Sequence, residues 1–481
     1  MRMHRQFYIN GTWCDPIAGQ DLPVIDPSTE EPCAIISLGG VADTDLAVAS
    51  AKAALPDWMH TPPAERLELV KRILQEYKAR AEDMAQAMSL EMGAPIDLAH
   101  SSQYGAGTWH ISNFITAFEQ IEFEAPLNAH SPEDRIIREA VGVCALITPW
   151  NWPMNQVTLK VIPALLAGCT MVLKPSEIAP LSSIVWSEIM DAAGTPKGVY
   201  NMVNGDGPGV GTQLSGHPNV DMVSFTGSTR AGIAISKNAA ETLKRVHLEL
   251  GGKGANLIFA DADAGAVKRG VQHCFQNSGQ SCNAPTRMLV QREIYDAAVD
   301  TAREIAEATT VGPASASGRH IGPVVSQAQY DKIQGLIETG IAEGARLVAG
   351  GPGRPDGFNR GYFVRPTVFA DVTNDMTIAR EEIFGPVLSI IPFGTEAEAL
   401  RIANDTVYGL TNYVQSQDGA RRNRLARQLR AGMIEMNGRS RSAGSPFGGM
   451  KHSGNGREGG VWGIEDFLEV KAVSGWDSTA G

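Results

Sequence analysis

Short apolar runs alternate with amphipathic segments along the middle of this chain, and this order constrains the fold more than any other feature of the sequence. The runs VGVCALITPW, TMVLKPSE, VYNMVNG and VDMVSFTGS have the length and character of buried strands, whereas the segments between them carry apolar residues at helical spacing. Strands that alternate with helices form a parallel sheet covered on both faces. We therefore expect an α/β fold, and a second series that begins at LIFADAD predicts a second sheet.

Length, charge and cysteine content limit the classes of protein that fit. A chain of 481 residues is too long for one hydrophobic core, so we expect at least two domains. The net charge of −12 argues against nucleic acid or an anionic membrane as the main partner. No apolar run is long enough to span a membrane, and the first residues lack the apolar region of a secretion signal. Six scattered cysteines without CxxC pairs indicate reduced thiols in a cytoplasmic protein, with neither a disulfide framework nor a metal site.

Cys282 has unusual neighbours for a structural cysteine. It lies in NSGQSCNAP, among small and polar residues, whereas buried structural cysteines usually have large aliphatic neighbours. The residues alone leave two interpretations open, a nucleophilic thiolate and a packed thiol.

Two further motifs carry candidate ligand-binding residues. Gly227 and Ser228 in FTGSTRAG precede a predicted helix, whose N-terminus can hold phosphate, although a simple helix cap explains them as well. Lys174 and Glu177 follow a strand in LKPSE, at the edge where open parallel sheets bind ligands, and a solvated charge pair is the alternative.

Two polar residues have properties that catalysis needs. Glu249 ends an apolar strand in HLELGGK, and burial of a carboxyl group raises its pKa, which suits a general base. Asn151 in PWNWP carries a side-chain amide that could donate to an oxyanion. A capping glutamate and a turn asparagine are the structural alternatives.

The order of these motifs is more specific than any one of them. PWNWP, LKPSE, FTGSTRAG, LELGGK, NSGQSC, EEIFGPV and PFGGMKHSGNGRE follow one another, and the similarity extends from about residue 7 to residue 473. In this the sequence resembles the NAD(P)-dependent aldehyde dehydrogenase superfamily, in its hydrolytic, non-acylating branch. The resemblance implies oxidation of an aldehyde to a carboxylic acid, with NAD as the expected cofactor and NADP as the alternative.

The resemblance implies a role for each catalytic candidate. Cys282 matches the nucleophile that forms a thiohemiacetal and then a thioester, while the side chain of Asn151 and the backbone N–H of Cys282 hold the oxyanion. Glu249 matches the base that activates water to hydrolyse the thioester. Lys160 and Glu458 match positions that relay protons from Glu249.

The same resemblance implies a cofactor site. Lys174 and Glu177 fall at the adenosine ribose, where a carboxylate accepts from the 2′-hydroxyl of NAD but repels the 2′-phosphate of NADP, so we expect NAD to be preferred. The pyrophosphate, the nicotinamide ribose and the nicotinamide fall, in that order, at Thr226-Gly227-Ser228, Glu382 and Phe384. The other cofactor-binding positions are Thr148, Pro149, Trp150, Ser176, Gly207, Leu250 and Gly251.

The implied architecture has a Rossmann-type cofactor domain, an α/β catalytic domain and a β-hairpin oligomerisation arm. We expect residues 1–119 and 141–248 to form the cofactor domain and residues 249–450 the catalytic domain. The resemblance assigns residues 120–140 and 460–481 to oligomerisation, in a homotetramer or a homodimer. Isolated hairpins are marginal in water, so we expect these strand-like segments to pair, with a neighbouring subunit as a candidate partner.

Substrate choice is the feature that the sequence determines least. Trp152 and Phe447 match positions of an apolar sleeve, which favours aliphatic or aromatic aldehydes. Arg439 and Arg441 could face the same way in an extended loop and clamp a distal carboxylate, as in a semialdehyde or ω-oxo acid. Exposure to solvent or pairing with acidic residues is the alternative for both arginines.

Three other functions remain open at this point. A thiol hydrolase or transferase would pair Cys282 with a histidine, and His247 and His273 are the near candidates in sequence. A CoA-acylating dehydrogenase shares the fold, but that branch generally lacks a glutamate such as Glu249. A non-enzymatic relative would be expected to lose Cys282 or Glu249, and both are present.

Overall fold

The computed structural model describes residues 2–477, so residues 478–481 of the predicted oligomerisation segment lie outside the described residues. The strands, in chain order, are β1 (Arg2–His4), β2 (Phe7–Ile9), β3 (Thr12–Cys14), β4 (Gln20–Asp26), β5 (Glu31–Leu38), β6 (Glu124–Asn128), β7 (Ser131–Ala140), β8 (Val143–Ile147), β9 (Thr170–Lys174), β10 (Tyr200–Met202), β11 (Met222–Thr226), β12 (Arg245–Glu249), β13 (Ala255–Ile258), β14 (Arg287–Gln291), β15 (Arg346–Ala349), β16 (Thr367–Ala370), β17 (Val387–Phe393), β18 (Thr411–Gln415), β19 (Met433–Met436) and β20 (Leu468–Ser474).

The helices connect these strands and cover the sheets. In chain order they are α1 (Val41–Met59), α2 (Pro63–Ala79), α3 (Ala81–Met92), α4 (Ile96–Leu98), α5 (Gly105–Phe118), α6 (Pro153–Ala167), α7 (Leu181–Ala192), α8 (Thr212–Gly216), α9 (Thr229–Ala239), α10 (Ala266–Phe275), α11 (Tyr295–Ala308), α12 (Gln327–Ala342), α13 (Thr377–Arg380), α14 (Glu396–Asn404), α15 (Gly419–Gln428) and α16 (Gly460–Glu465). Within residues 2–477, no helix is long and apolar enough to cross a membrane.

The first large sheet has the strand order β12-β11-β8-β9-β10-β2-β3. The strands from β12 to β10 are parallel, and β2 and β3 extend this sheet in antiparallel fashion. Every residue of β8, β9 and β11 is buried, as expected for strands covered on both faces. The predicted α/β fold is confirmed.

The second large sheet has the strand order β15-β16-β17-β14-β13-β18-β19. All its neighbouring strands are parallel except β15, which runs antiparallel to β16 at one edge. Separate clusters of buried apolar side chains pack against this sheet. The second predicted α/β series therefore forms a sheet of its own.

The two sheets meet at opposite strand ends, and the candidate site lies where they meet. Asn151 and Lys174 lie at the carboxyl ends of β8 and β9, and Glu249 ends β12. Cys282 and Glu382 lie in the loops that precede β14 and β17, at the amino ends of the second sheet. Carboxyl ends of parallel strands are the usual ligand-binding edge, and here the second sheet supplies the facing wall.

The predicted oligomerisation segments form a third, small sheet with the order β20-β7-β6. Strand β20 pairs antiparallel with β7, from Leu468 opposite Ala140 to Ser474 opposite Asp134. The pairing for which a neighbouring subunit was the candidate partner is therefore made within the chain. A further sheet, β1-β5-β4, lies near the N-terminus.

Candidate active site

A loop with unusual backbone angles presents Cys282. Asn277, Ser278 and Gly279 all have left-handed φ values, at 54°, 57° and 73°. A Cβ atom at position 279 would lie 2.0 Å from the carbonyl oxygen of Gly385, so only glycine fits there. The small residues around the cysteine are therefore explained by backbone packing as well as by access to the sulfur.

Cys282 lines two cavities. The first has a volume of about 230 Å³ and the second a volume of about 530 Å³. Among the residues that the structure describes, Cys282 is the only one that lines both. The first cavity brings together these predicted residues: Pro149, Trp150, Asn151, Thr226, Gly227, Ser228, Leu250, Gly251, Glu382 and Phe384.

Two hydrogen-bond donors belong to residues that line the first cavity. Nδ2 of the buried Asn151 donates one hydrogen to the carbonyl oxygen of Gln280 at 3.0 Å, and its second hydrogen has no acceptor among the described residues. The backbone N–H of Cys282 has no acceptor among residues 2–477. Both residues line the first cavity, which is the arrangement that an oxyanion hole requires.

Glu249 is 1 % exposed, and neither of its carboxyl oxygens has a hydrogen-bond partner in the described part of the chain. Burial, followed by the neighbouring Glu458, holds the pKa of Glu249 well above its ordinary value, although Lys160 and Arg457 act in the opposite direction. A carboxyl group with a raised pKa can take up a proton near neutral pH.

Lys160 and Glu458 form a buried ion pair behind Glu249, with 2.6 Å between Nζ of Lys160 and Oε1 of Glu458. The imidazole of His247 lies between the two carboxyl groups. Its Nε2 is 3.9 Å from Oε1 of Glu249 and 4.0 Å from Oε1 of Glu458. The structure thus brings the three predicted proton-handling residues together and adds His247, which the sequence suggested only as a partner for Cys282.

The electrostatics of the site oppose ionisation of the thiol. Burial raises the pKa of Cys282 well above its ordinary value, the carboxyl groups of Glu382, Glu249 and Glu458 raise it further, and Arg441 lowers it. The side chain nevertheless remains partly accessible. The thiol is therefore protonated at neutral pH, and it needs a proton acceptor before it can react.

Glu382 and Phe384 reach the first cavity from the loop before β17. Oε1 of Glu382 accepts from the N–H of Gly252 at 2.8 Å, and a Cβ at Gly251 would lie 2.5 Å from Oε2 of the same carboxyl group. Phe384 packs edge-to-face against Trp150, with 5.4 Å between ring centroids. Gly251 thus leaves the space that the Glu382 carboxyl group occupies, and Gly252 donates its N–H to the same group.

Two residues of α12 also line the first cavity and were missed from the sequence. Nε2 of Gln329 donates to the carbonyl oxygen of Phe384 at 2.9 Å, and Nζ of Lys332 donates to the carbonyl oxygen of Glu382 at 2.7 Å. These bonds hold the loop before β17. In the sequence both are ordinary polar residues of an amphipathic helix, and no motif distinguishes them.

Lys174 is buried, and its ammonium group is directed at protein acceptors. Nζ donates to the carbonyl oxygens of Pro175 at 2.7 Å and Gly205 at 2.6 Å, and lies 3.4 Å from Oε2 of Glu177. Burial lowers the pKa of Lys174, whereas Glu177 raises it. Since these three acceptors match the three ammonium hydrogens, Lys174 orients the partly exposed Glu177, whose carboxyl group can meet a ligand.

The residues at this edge fit a dinucleotide. Oγ1 of Thr226 is buried without a hydrogen-bond partner among the described residues, and Gly227 and Ser228 lead into the N-terminus of α9. A Cβ at Gly207 would meet no atom within 4 Å, so the space beside it is open. A free hydroxyl, a helix N-terminus and open space suit a phosphate group. Two further predicted residues are buried at this edge, Thr148 and Ser176.

Aromatic rings and one ion pair line the second cavity. Trp152 and Phe447 are both in its wall, and Nε1 of Trp152 donates to Oγ of Ser281 at 2.8 Å. The guanidinium of Arg441 stacks over Phe447, 4.7 Å from the ring centroid, and its Nε is 3.4 Å from Oε1 of Glu435. The positive charge in this cavity is therefore paired with a carboxylate.

Arg439 does not line this cavity in the described part of the chain. Its N–H donates to the carbonyl oxygen of Met436 at 3.0 Å and closes a turn, so the loop is not extended as the clamp hypothesis assumed. Arg439 is exposed, whereas Arg441 reaches the cavity. The structure thus does not bring the two arginines together.

The second cavity contains His110 and Asn155, which the sequence analysis missed, and His273, which it named only as a partner for Cys282. Nε2 of His110 is 2.7 Å from Oδ1 of Asn155, and the ring of His273 packs edge-to-face on Tyr413 at 5.2 Å. Burial lowers the pKa of His110 to about 4 and also lowers the pKa of His273. Both rings are therefore neutral at pH 7, and neither hydrogen-bonds to Cys282 among the described residues.

A cysteine that lines two cavities, at strand ends that fit a dinucleotide, is an arrangement typical of an oxidoreductase that uses a nucleotide cofactor. The sequence profile described as the aldehyde dehydrogenase family matches residues 13–473. The chain belongs to the aldehyde dehydrogenase family. The resemblance seen in the sequence is confirmed, and the thiol hydrolase and non-enzymatic interpretations are set aside.

Similar proteins cover the full length of the chain. A 3-succinoylsemialdehyde-pyridine dehydrogenase from a Pseudomonas species is 50% identical over 481 residues, which is 100% of both chains. An aldehyde dehydrogenase from Bartonella henselae superposes with a TM-score of 0.98 at 62% identity, covering 99% of this chain and 100% of that one. Aldehyde dehydrogenase C from Pseudomonas syringae, a mutant in complex with NAD+ and octanal, has a TM-score of 0.96 at 46% identity, with 98% and 97% covered.

Proposed function

We propose that this enzyme oxidises an aldehyde to the carboxylic acid through a covalent adduct on Cys282, with NAD as the hydride acceptor. The observation that carries the proposal is that Cys282 lines both the cavity of about 230 Å³ and the cavity of about 530 Å³. An aldehyde in the larger cavity and a nicotinamide in the smaller one would both meet the sulfur. A carbon bonded to that sulfur would therefore have the hydride acceptor beside it.

The first step is the attack of Cys282 on the aldehyde carbon. The thiolate is the nucleophile, so the thiol proton has to pass to an acceptor, and Glu249 is the buried carboxyl group with a raised pKa nearby. The carbonyl oxygen gains negative charge as the carbon–sulfur bond forms. The free N–H of Asn151 and the N–H of Cys282 stabilise this oxyanion, and losing one such donor typically costs about 3–4 kcal/mol of barrier.

The second step yields a thioester on Cys282. Bound NAD supplies the hydride acceptor for this oxidation. Glu249 first passes the thiol proton to the Lys160–Glu458 pair and is ionised again. It then removes a proton from water, the resulting hydroxide attacks the thioester carbon, and the carboxylic acid leaves as the sulfur is released. Lys160 and Glu458 are proposed to share the proton that Glu249 receives, and their ion pair of 2.6 Å supports this role.

NAD is the proposed cofactor. Glu177 would hold the adenosine ribose, Glu382 the nicotinamide ribose, and Thr226 with the start of α9 the pyrophosphate. A carboxylate at Glu177 disfavours the 2′-phosphate of NADP, and the relative solved with NAD+ supports the same choice. A kcat/KM that is higher with NADP than with NAD contradicts this assignment.

The proposed substrate class is an uncharged aldehyde with an aromatic or alkyl body, which can carry a hydrogen-bond acceptor at its distal end. The Arg441–Glu435 pair carries no net charge, so a substrate carboxylate would have to displace Glu435. A pyridine nitrogen or a keto oxygen can accept from a remaining N–H of Arg441 without breaking that pair. The names of two relatives, one a pyridine semialdehyde dehydrogenase and one solved with octanal, support this class over an ω-oxo acid.

The test is NADH formation across a panel of aldehydes that differ in length, aromaticity and terminal charge, with and without CoA. We expect the free acid as the product, and a higher kcat/KM for pyridyl and alkyl aldehydes than for ω-oxo acids of equal length. Cys282→Ala should bind NAD but show no turnover, since the nucleophile is not a cofactor ligand. Turnover of Cys282→Ala within about tenfold of the parent enzyme rules the cysteine out as nucleophile.

A further inference from the structure

The proton-handling cluster behind Glu249 has a partly exposed carboxylate among its neighbours. Lys160, Glu458 and Glu249 are almost fully buried, and the other partner of Lys160 is the buried Ser224, 3.2 Å away. Asp466, which follows α16, has a side chain that is 37% exposed. A proton that Glu249 takes from water has to reach solvent in every turnover, so the connection to Asp466 matters.

His247 makes that connection. It lies two residues before Glu249 on β12, so both side chains leave the same face of the strand. Nε2 of His247 is 3.9 Å from Oε1 of Glu249, and Nδ1 is 2.6 Å from Oδ2 of Asp466. The Asp466 oxygen lies off the ring N–H direction, so this is a short contact and not an aligned hydrogen bond.

The surrounding backbone fixes both side chains. A Cβ at Gly456 would lie 2.2 Å from Nε2 of His247, so the imidazole rests directly on this glycine. Oδ2 of Asp466 accepts from the N–H of Arg457 at 3.2 Å, and the carbonyl oxygen of Asp466 accepts from Nη1 of Arg245 at 2.8 Å. The imidazole is therefore held between the buried base and the exposed carboxylate.

The charge of Asp466 sets the tautomer of the ring. Burial acts to raise the pKa of Asp466, but His247 and the Arg457 N–H outweigh it and the pKa lies below its ordinary value. An ionised Asp466 favours a proton on the Nδ1 that it contacts, which leaves a lone pair on Nε2, the ring nitrogen about 4 Å from the carboxyl groups of both Glu249 and Glu458.

We propose that His247 and Asp466 form the route by which the proton accepted by Glu249 reaches solvent, an inference that rests on the proposed role of Glu249. The O–H bond of protonated Glu249 breaks as an N–H bond forms at Nε2 of His247. The Nδ1–H bond then breaks as Oδ2 of Asp466 takes that proton, and Asp466 releases it to water. One water molecule or a small side-chain rotation spans the 3.9 Å between Glu249 and the ring.

His247 is a positioning residue in this scheme, because it touches neither substrate nor cofactor. The pH dependence of turnover through this route belongs to the whole cluster, since several charged groups surround the ring. These are Glu249, Glu458, Lys160, Arg245, Arg457 and Asp466.

The test compares His247→Gln and Asp466→Asn with the parent enzyme in stopped-flow NADH formation. Both variants keep polar side chains but cannot pass the proton on. We expect a full NADH burst, which reports thioester formation, followed by a steady rate lowered about tenfold, because only hydrolysis depends on the route. We also expect added imidazole to restore the steady rate of His247→Gln, and the kcat–pH profile of both variants to shift.

His217→Gln is the matched control. His217 lies outside this cluster, where its Nε2 is 3.4 Å from Oδ1 of Asp45, and the variant should behave as the parent.

Two outcomes would contradict the proton route through His247 and Asp466 and leave the proposed role of Glu249 intact. One is a steady rate within about twofold of the parent in both variants, with an unchanged pH profile, while Glu249→Gln is slow. The other is loss of the burst together with the steady rate and without rescue by imidazole, which would show that His247 only supports the structure. If Glu249→Gln hydrolyses the thioester as fast as the parent, the proposed base fails and the route fails with it. If the parent enzyme fails to reduce NAD with every aldehyde of the panel, the proposed function itself fails.

Discussion

Cys282 and Glu249 are both hard to ionise, and burial is the first cause in each case. An isolated charge in such a site is costly, whereas transfer of a proton between two groups of this kind creates little net charge. At the scale of single residues, the site therefore keeps a neutral thiol until a substrate and a proton acceptor are both in place.

The raised pKa of Cys282 predicts how its alkylation depends on pH. Because the folded-state pKa lies above the ordinary thiol value, the thiolate fraction is small at pH 7 and grows with pH. We expect the rate of Cys282 alkylation by iodoacetamide in the free enzyme to rise by about one log unit per pH unit from pH 7 to beyond pH 9. Cys282→Ser gives the background from the other cysteines. A plateau of the rate below about pH 8 contradicts the raised pKa.

Arg441 should act on uncharged acceptor groups in the substrate. Arg441→Met is expected to lower kcat/KM about tenfold for a pyridyl aldehyde, the size of one hydrogen bond from a charged donor, and to leave octanal nearly unchanged. Arg439→Met is the matched control, because Arg439 does not line the cavity among the described residues, and it should affect neither aldehyde. A selective loss for the ω-oxo acid in Arg441→Met would support the carboxylate clamp instead.

At the scale of secondary-structure elements, glycines are decisive because they let the segments around the sulfur approach one another. The strongest case is Gly279, which combines a φ of 73° with a Cβ position 2.0 Å from the carbonyl oxygen of Gly385. A similar contact explains Gly456, against which the His247 ring lies. The glycines in these motifs therefore permit close contacts of backbone and side chains around the carboxyl group of Glu249 and the thiol of Cys282.

Gly279→Ala should displace the loop that carries Cys282. We expect the free energy of unfolding to fall by about 1–3 kcal/mol, from the strained φ and the contact with Gly385, and kcat to fall by more than this stability loss explains. Gly335→Ala is the control, since a Cβ on that exposed face of α12 meets no atom within 4 Å. It should be neutral or slightly stabilising in the same urea titrations. An unchanged kcat in Gly279→Ala would show that the loop tolerates the shift.

The sequence predicts those features that depend on a short, continuous stretch of residues. Apolar runs such as the one in β8 are long enough to identify strands, and the motif order identifies Cys282, Glu249 and Asn151 as neighbours. Residues that reach the site from an ordinary helix, such as Gln329 and Lys332 of α12, have no local signal. The divergence of Arg439 and Arg441 depends on one turn hydrogen bond, which the composition of that loop does not reveal.

At the scale of the whole molecule, the small sheet β20-β7-β6 remains exposed. Val470 on β20 is 66% exposed and Leu127 in β6 is 51% exposed, and the outer edge of β20 has no partner strand among residues 2–477. Exposed apolar residues beside open strand edges are typical of association surfaces. We propose that the chain self-associates through this sheet, as a homodimer or a homotetramer.

Val470→Arg should weaken that association. We expect the mass measured by light scattering to fall toward that of one chain at micromolar concentration, because a charged side chain would be buried at the interface. Val41→Arg is the control, since Val41 is 58% exposed on α1, outside this sheet. An unchanged mass in Val470→Arg, or a parent enzyme that is already monomeric, contradicts association through this face.

The central claim is that an acyl group is held on Cys282 and released by Glu249. The direct measurement is the mass of intact Glu249→Gln after mixing with NAD and a reactive aldehyde, quenched in acid during turnover. We predict an adduct of acyl mass on the peptide that contains Cys282, formed with one NADH per site. The adduct should form more slowly than in the parent, because the variant lacks the acceptor for the thiol proton, and should be hydrolysed about 100-fold more slowly. NADH formed at the parental steady rate, with no adduct at Cys282, would contradict the account.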